Sequence, residues 1–166
     1  MTTVFLDIDG TINGHSGRPP KKNTHWFGEW SRERVDGEWV LWSHELVEEL
    51  TQLSLRDDVQ IIWLSDWRHK SLEFGAAVGL PEFEYTPATE DEIQPDRDNW
   101  WKLAHVQEAW MSDPDGKVVW LDDGIQYNPK SHWWEMGRDR LLTISPYQGH
   151  GLTRKHMEMI NEFVNS

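Results

Sequence analysis

A single α/β domain is predicted, with a central parallel sheet, helices on both faces and a small β-hairpin flap, and three observations predict it. Apolar, strand-like runs recur along the chain with helical stretches between them: "VFLDIDG" near the start, "DVQIIWLS" in the middle and "GKVVWLDD" later. Alternation of this kind produces parallel strands joined by helices that cover both faces of the sheet. The runs are themselves near-continuously apolar, as strands buried on both faces must be. Each ends in acidic or hydroxyl side chains: Asp7 and Asp9, then Ser65, then Asp122 and Asp123. In a parallel sheet these ends lie along one edge, where ligands of open α/β sheets bind. A length of 166 residues suits one ordinary core, so residues 1–166 are expected to form one domain.

The elements follow in order. After the first strand, "NGHSGRPPKKN" is a polar loop with Gly and Pro, and "THWFGEW" with "GEWVLW" around "SRERVD" reads as the hairpin, at about residues 23–42. "SHELVEELTQL" is an amphipathic helix with Ser43 at its N-cap. The second buried strand, "DVQIIWLS", leads into a helix over about 66–78, and "FEYT" is a short third strand. "RDNWWKLAHVQEAW" has helical spacing, "GKVVWLDDG" is a buried strand ending in acids, and "DRLLTIS" is the last strand. "GLTRKHMEMINEFV" closes the chain as a helix capped by Thr153.

Composition narrows the function classes. Sixteen Lys and Arg against 29 Asp and Glu give a net charge of -13, which disfavours broad binding to a polyanion. Any nucleic-acid contact is therefore expected to be local. No apolar stretch is long enough for a membrane span, and the start "MTTVFLDIDG" has neither the basic residues nor the cleavage site of a signal peptide. With no cysteine, disulfides and thiolate metal sites are excluded, which fits a cytoplasmic protein.

The first strand poses a charge problem. Alternation would put Asp7 and Asp9 on one face, where two carboxylates repel by roughly 4 kcal/mol at about 4 Å in a surface-like dielectric. A hard cation with oxygen ligands is the usual compensation.

These acids sit in motifs that resemble those of the haloacid dehalogenase (HAD) superfamily of aspartyl phosphatases. "DIDGT" is similar to its first motif, "IIWLS" to its second, Lys102 on the helix before the fourth strand to its third, and "VVWLDD" to its fourth. "WLSDW", the tail "GHGLTRKHMEMINEFV" and the tryptophan-rich motifs look like a smaller branch, the phosphatase domain of bacterial and phage RNA-repair proteins. The resemblance implies a Rossmann-like HAD domain and Mg²⁺-dependent hydrolysis of a phosphomonoester. Asp7 would be the nucleophile, forming an aspartyl-phosphate. Asp9 would protonate the leaving oxygen and then deprotonate water. Mg²⁺ would be held by Asp7 and Asp123 with the main-chain carbonyl of Asp9, and Asp122 would support Lys102 or metal-bound water. Gly10 and Thr11, with Ser65 and the main chain at Asp66, would hold the phosphate. Lys102 would bring positive charge to Asp7 and the phosphoryl group, with Lys117 and Lys70 as the other candidates. His15, His25 and His132 receive no role.

Three further features bear on the substrate. The stretches 12–42 and 66–101 are too short to fold as a cap domain, so the site is expected to be open and suited to bulky substrates. Arg18, Lys21, Lys22, Arg68 and Lys70 follow the first two motifs as a basic rim, for which ordinary solvated loop charge is the competing reading. Twelve tryptophans are present; Trp63, Trp110 and Trp120 are expected in the core, Trp26, Trp30, Trp39 and Trp42 in the flap, and Trp67 near the mouth, where it is placed to stack on a base. The expected substrate is a terminal phosphate on a nucleic-acid end, 3′ ahead of 5′. A small-nucleotide phosphatase and a non-catalytic HAD-like binding module are the alternatives.

Overall fold

A computed structural model describes residues 1–19, 25–93, 100–128, 130–131, 134 and 138–166. Five parallel strands form the sheet in the order β5-β4-β1-β6-β7, with β1 Thr2–Leu6, β4 Val59–Trp63, β5 Glu84–Tyr85, β6 Lys117–Leu121 and β7 Leu141–Ile144. The strand from the chain's start is thus central, which explains why "TVFL" is apolar on both faces. Alternation divides it: Val4 and Leu6 join one core cluster and Phe5 the other. On the first face, α1 (His44–Ser54), α2 (Ser71–Val78) and α4 (Arg154–Asn165) contribute Leu46, Leu50, Phe74, Met157 and Ile160. On the second, α3 (Trp101–Ser112) contributes Trp101, Leu103 and Val106. Both faces are covered, as the alternation of elements requires.

The capping residues act as expected. Ser43 Oγ accepts the Leu46 N–H at 3.4 Å, and Thr153 forms a reciprocal box with His156, whose Nδ1 takes the Thr153 N–H at 3.1 Å. Among the described residues no helix is long and apolar enough to cross a membrane.

Two local expectations are corrected. The hairpin's strands are β2 Trp30–Val35 and β3 Glu38–Ser43, so "SRERV" is strand rather than turn. The reversal falls at Asp36-Gly37, where φ is 50° and 85°. An Asp-Gly pair accepts positive φ at both positions and matches the strand twist, so the turn forms there. The second departure follows β4, where α2 starts only at Ser71, after a 3-10 turn at Arg68–Lys70. The Ser65 side-chain and main-chain oxygens accept the Trp67 and Arg68 N–H groups at 3.4 and 2.9 Å, diverting the chain into a turn before it can become helical.

Register positions the site. Leu6 lies opposite Trp63 on one side and Leu121 on the other. The ladder continues one step further, with Asp7 N–H donating to Leu121 O at 3.0 Å and Leu64 N–H to Leu6 O at 2.9 Å. Asp7, Ser65 and Asp122 are therefore brought to one edge by backbone pairing alone.

Candidate active site

Buried at that edge, Lys102 joins two acids. Its Nζ lies 3.0 Å from Asp7 Oδ2 and 2.8 Å from Asp122 Oδ2. All three side chains are almost fully buried, with Lys102 on the first turn of α3 and the acids directly after β1 and β6. Oxygens of Asp7, Asp122 and Asp123 approach within 4.8 Å of one another. Neither Lys117 nor Lys70 takes this place: Lys117 donates to Phe163 O, and Lys70 pairs with Asp36 on the hairpin turn.

The electrostatics follow from burial. Loss of solvent raises the pKa of Asp7 above the ordinary carboxylate value, against the attraction of Lys102 and a Ser65 hydrogen bond. Burial likewise pushes Asp122 up to about 7 despite Lys102. Asp123, half-buried, is raised by desolvation and by the like charge of Asp7. Burial also opposes the charge on Lys102, but Asp7, Asp122 and Asp66 outweigh it and keep the ammonium protonated. One cation thus faces an excess of carboxylates made only of hard oxygen donors, a donor set that fits a further divalent cation.

The two acids after β6 divide their tasks. Asp122 spends one oxygen on Lys102 and the other on the Gly124 N–H at 2.8 Å, so both are committed to protein groups. Asp123 turns toward Gly10, where a Cβ would lie 2.4 Å from its Cγ. Gly10 also has φ of 69°, so this position needs glycine for both its conformation and the space it leaves to Asp123.

Asp9 is placed by a turn rather than by strand alternation. Because β1 stops at Leu6, Asp9 falls in the turn that follows, outside the Asp7, Asp122 and Asp123 group. Trp67 Nε1 donates to its Oδ2 at 2.7 Å and Asn13 Nδ2 to its Oδ1 at 2.8 Å. Asn13 Oδ1 also accepts the Leu41 N–H of β3 at 2.9 Å, which ties the hairpin to Asp9. Sequence reasoning passed over Asn13, since a lone loop asparagine carries no pattern.

The other expected residues take the following places. Ser65 is buried just past β4, and its hydroxyl acts against the burial that raises the Asp7 pKa. The Gly10 and Thr11 N–H groups donate to Asn13 O at 2.9 Å and Ile8 O at 3.2 Å. Thr11 is fully buried, and its carbonyl accepts Leu152 N–H at 2.7 Å, anchoring the lead into α4. The turn after β1 consumes these groups to close itself. Asp66 is exposed, and its carboxylate accepts Trp101 Nε1 at 3.2 Å.

Two residues of the basic rim have acidic partners. Arg68 lies 2.8 Å from Glu90 and Lys70 pairs with Asp36, because in a chain so rich in acids a basic side chain readily finds one. Arg18 is exposed, and Lys21 and Lys22 lie outside the described residues. Trp26 and Trp42 are buried and Trp67 is turned toward Asp9, whereas Trp39 is 51% exposed.

A family model, that of the HAD domain in Swiss Army Knife RNA repair proteins, matches residues 3–157. The chain belongs to this family. No curated protein and no solved structure matches it. The family match runs from β1 into α4, so the HAD domain takes in Asp7, Ser65, Lys102 and the Asp122-Asp123 pair together.

Proposed function

We propose that this HAD domain is a Mg²⁺-dependent phosphomonoesterase that removes a terminal phosphate from nucleic-acid ends, 3′ ahead of 5′. The observation that carries the reading is the bridge of Lys102 between Asp7 and Asp122 at the carboxyl edge of the sheet, with Asp123 in the same group. In this reading Asp7 Oδ attacks phosphorus while the bond to the leaving oxygen breaks, giving an aspartyl-phosphate. Asp9 gives its proton to the leaving oxygen and takes one back from the water that later attacks the phosphoryl group, restoring Asp7. The N–H bonds from Trp67 and Asn13 aim the Asp9 carboxyl and leave each oxygen a lone pair for that proton. Lys102 orients Asp7 and offsets charge on the transferring group. Asp7 and Asp123, with the carbonyl of Asp9, would hold the metal ion, while Asp122 keeps Lys102 in place. Bound there, Mg²⁺ supplies Lewis-acid polarisation of a phosphoryl oxygen and neutralises the carboxylates.

Family membership in RNA-repair proteins supports a nucleic-acid end as substrate. Cleavage of RNA through its 2′-hydroxyl leaves the phosphate on the 3′ side, which is why 3′ ends are placed first. The stretches 12–42 and 66–101 are too short for a cap domain, which supports an open site and a bulky substrate. The net charge of -13 supports a grip on a terminus of few nucleotides rather than on a duplex. The test compares kcat/KM for a 3′-phosphorylated oligonucleotide, its 5′-phosphorylated isomer and the matching mononucleotides. The 3′ oligonucleotide is expected to lead by at least about tenfold, the equivalent of one stacked base. Equal efficiency on mononucleotides would favour a small-nucleotide phosphatase, and no turnover on any phosphate ester would leave a binding module.

The metal reading makes its own prediction. For Asp122, whose folded pKa is raised from 3.8 to about 7, the folded state holds the proton more tightly than the unfolded chain. Its contribution to stability is therefore full below the unfolded pKa and is lost as pH rises through the folded one. Asp7 and Asp123, which would hold the metal, are raised as well, so Mg²⁺ competes with protons there and stabilises by about 2.7 kcal/mol at a hundredfold excess over Kd. The rise in Tm on adding Mg²⁺ is expected to be larger at about pH 8 than at about pH 5. An equal shift at both, or none, would count against a metal here.

A further inference from the structure

Beside Asp9 the structure opens a groove of about 330 Å³ between the hairpin and the loop after β1, lined among others by His15, Arg32, Glu38, Trp39 and Trp67. It is built differently from the rest of the hairpin. Trp26 and Trp42 are 5% and 4% exposed and hold the hairpin to the core, whereas Trp39, from the same segment, keeps half its surface in solvent. Trp39 packs against arginines across the hairpin rather than into the core, so part of its surface stays open to the groove.

Its neighbours are specific. Register puts Trp39 opposite Arg34, and Arg32 opposite Leu41. The Arg32 guanidinium lies 4.4 Å from the centre of the Trp39 ring and that of Arg34 5.2 Å. With two cations already at the ring, a cationic ligand is disfavoured; a neutral aromatic ligand attached to an anionic chain is favoured. Glu38 and Asp9 bound the same groove and disfavour an anionic group inside it, which favours a neutral ring.

The groove is also coupled to the chemistry. Asn13 accepts the Leu41 N–H and donates to Asp9, and Gly14 N–H donates to Leu41 O at 3.0 Å. The strand that carries Trp39 is thereby held in fixed register to the residue that handles the leaving-group proton. A group seated on Trp39 belongs to the part of the substrate next to the leaving oxygen.

We propose that Trp39 and Arg32 form a nucleobase subsite that stacks the base of the nucleotide bearing the phosphate, read without regard to base identity. This rests on the nucleic-acid reading above and names the contact that would produce its selectivity. Stacking on an aromatic plane is tolerant of sequence because every base has a π face. Arg32 supplies donors to the base edge.

The test uses two oligonucleotides with the same terminal phosphate, one ordinary and one abasic at the terminal nucleotide, with p-nitrophenyl phosphate as a third substrate. For the unaltered protein, kcat/KM is expected to fall at least about tenfold on loss of the base. In Trp39→Ala the ratio of ordinary to abasic substrate should drop to near one, and Trp39→Phe should restore most of it. Exchanging the terminal base among A, C, G and U should move the ratio by less than removing it does. A ratio near one in the unaltered protein, or one unchanged in Trp39→Ala, overturns the subsite while leaving the nucleic-acid reading intact. Hydrolysis of p-nitrophenyl phosphate with neither oligonucleotide cleaved overturns the nucleic-acid reading, and the subsite with it.

Discussion

Asp7→Asn is expected to abolish Mg²⁺-dependent hydrolysis of phosphomonoesters, with kcat falling by about 10⁴-fold or more, as when other nucleophiles are removed. The fold should survive. Asn keeps a carbonyl oxygen at the position where Asp7 accepts from Lys102 at 3.0 Å, and it removes a carboxylate that burial already disfavours. The measurement pairs steady-state rates on an aryl phosphate with thermal unfolding of both proteins. Equal turnover in the two would eliminate Asp7 as nucleophile. An inactive but unfolded variant is distinguished by its melting curve, and in that case Asp7→Ala, which tests the same group without the amide, decides.

Lys102→Met is expected to be the most destabilising single change at the site. Lys102 is the cation between Asp7 and Asp122, and its removal leaves both buried without their ion-pair partner. Breaking a buried pair from one side costs about 3–5 kcal/mol, which for a domain of this size lowers Tm by about 6–20 °C. The sign of the pH dependence is a second readout. With the ammonium gone, the carboxylates should be driven further toward protonation, so the deficit is expected to grow as pH rises through neutrality. Mg²⁺ should restore part of the loss by replacing the missing charge, but not the activity. A melting temperature within about 2–4 °C of the unaltered protein, equivalent to about 1 kcal/mol, would show that Lys102 is not the electrostatic centre of the group.

The sheet and the acids at its edge were legible because they depend on local pattern. An apolar run such as "VFL" or "VVWL" buries itself on both faces wherever the chain places it, and acids at its end cannot follow it into the core. Asp7, Ser65 and Asp122 were therefore readable as a set, and parallel pairing of β1 with β4 and β6 brought them together. The helix caps Ser43 and Thr153 were legible for the same reason, since a cap is decided within three residues.

The choice of partners was not legible. Trp67 donates to Asp9 across 58 positions of sequence, and Arg68 reaches Glu90. An aromatic or a basic residue beside a motif looks the same in sequence whether it faces solvent or a neighbour, because only the folded chain decides which acid lies within reach. Asn13, which joins β3 to Asp9, carried no signal for that reason. The hairpin turn was a different case: Asp36-Gly37 states its own conformation and "GEWVLW" matches β3, but the first strand lies over "WSRERV" rather than before it. What the sequence determined by itself was the fold and the group of acids, through burial and strand periodicity. What only the tertiary structure decided was which of Trp26, Trp39, Trp42 and Trp67 stayed open, since exposure depends on the packing of elements far apart in the chain.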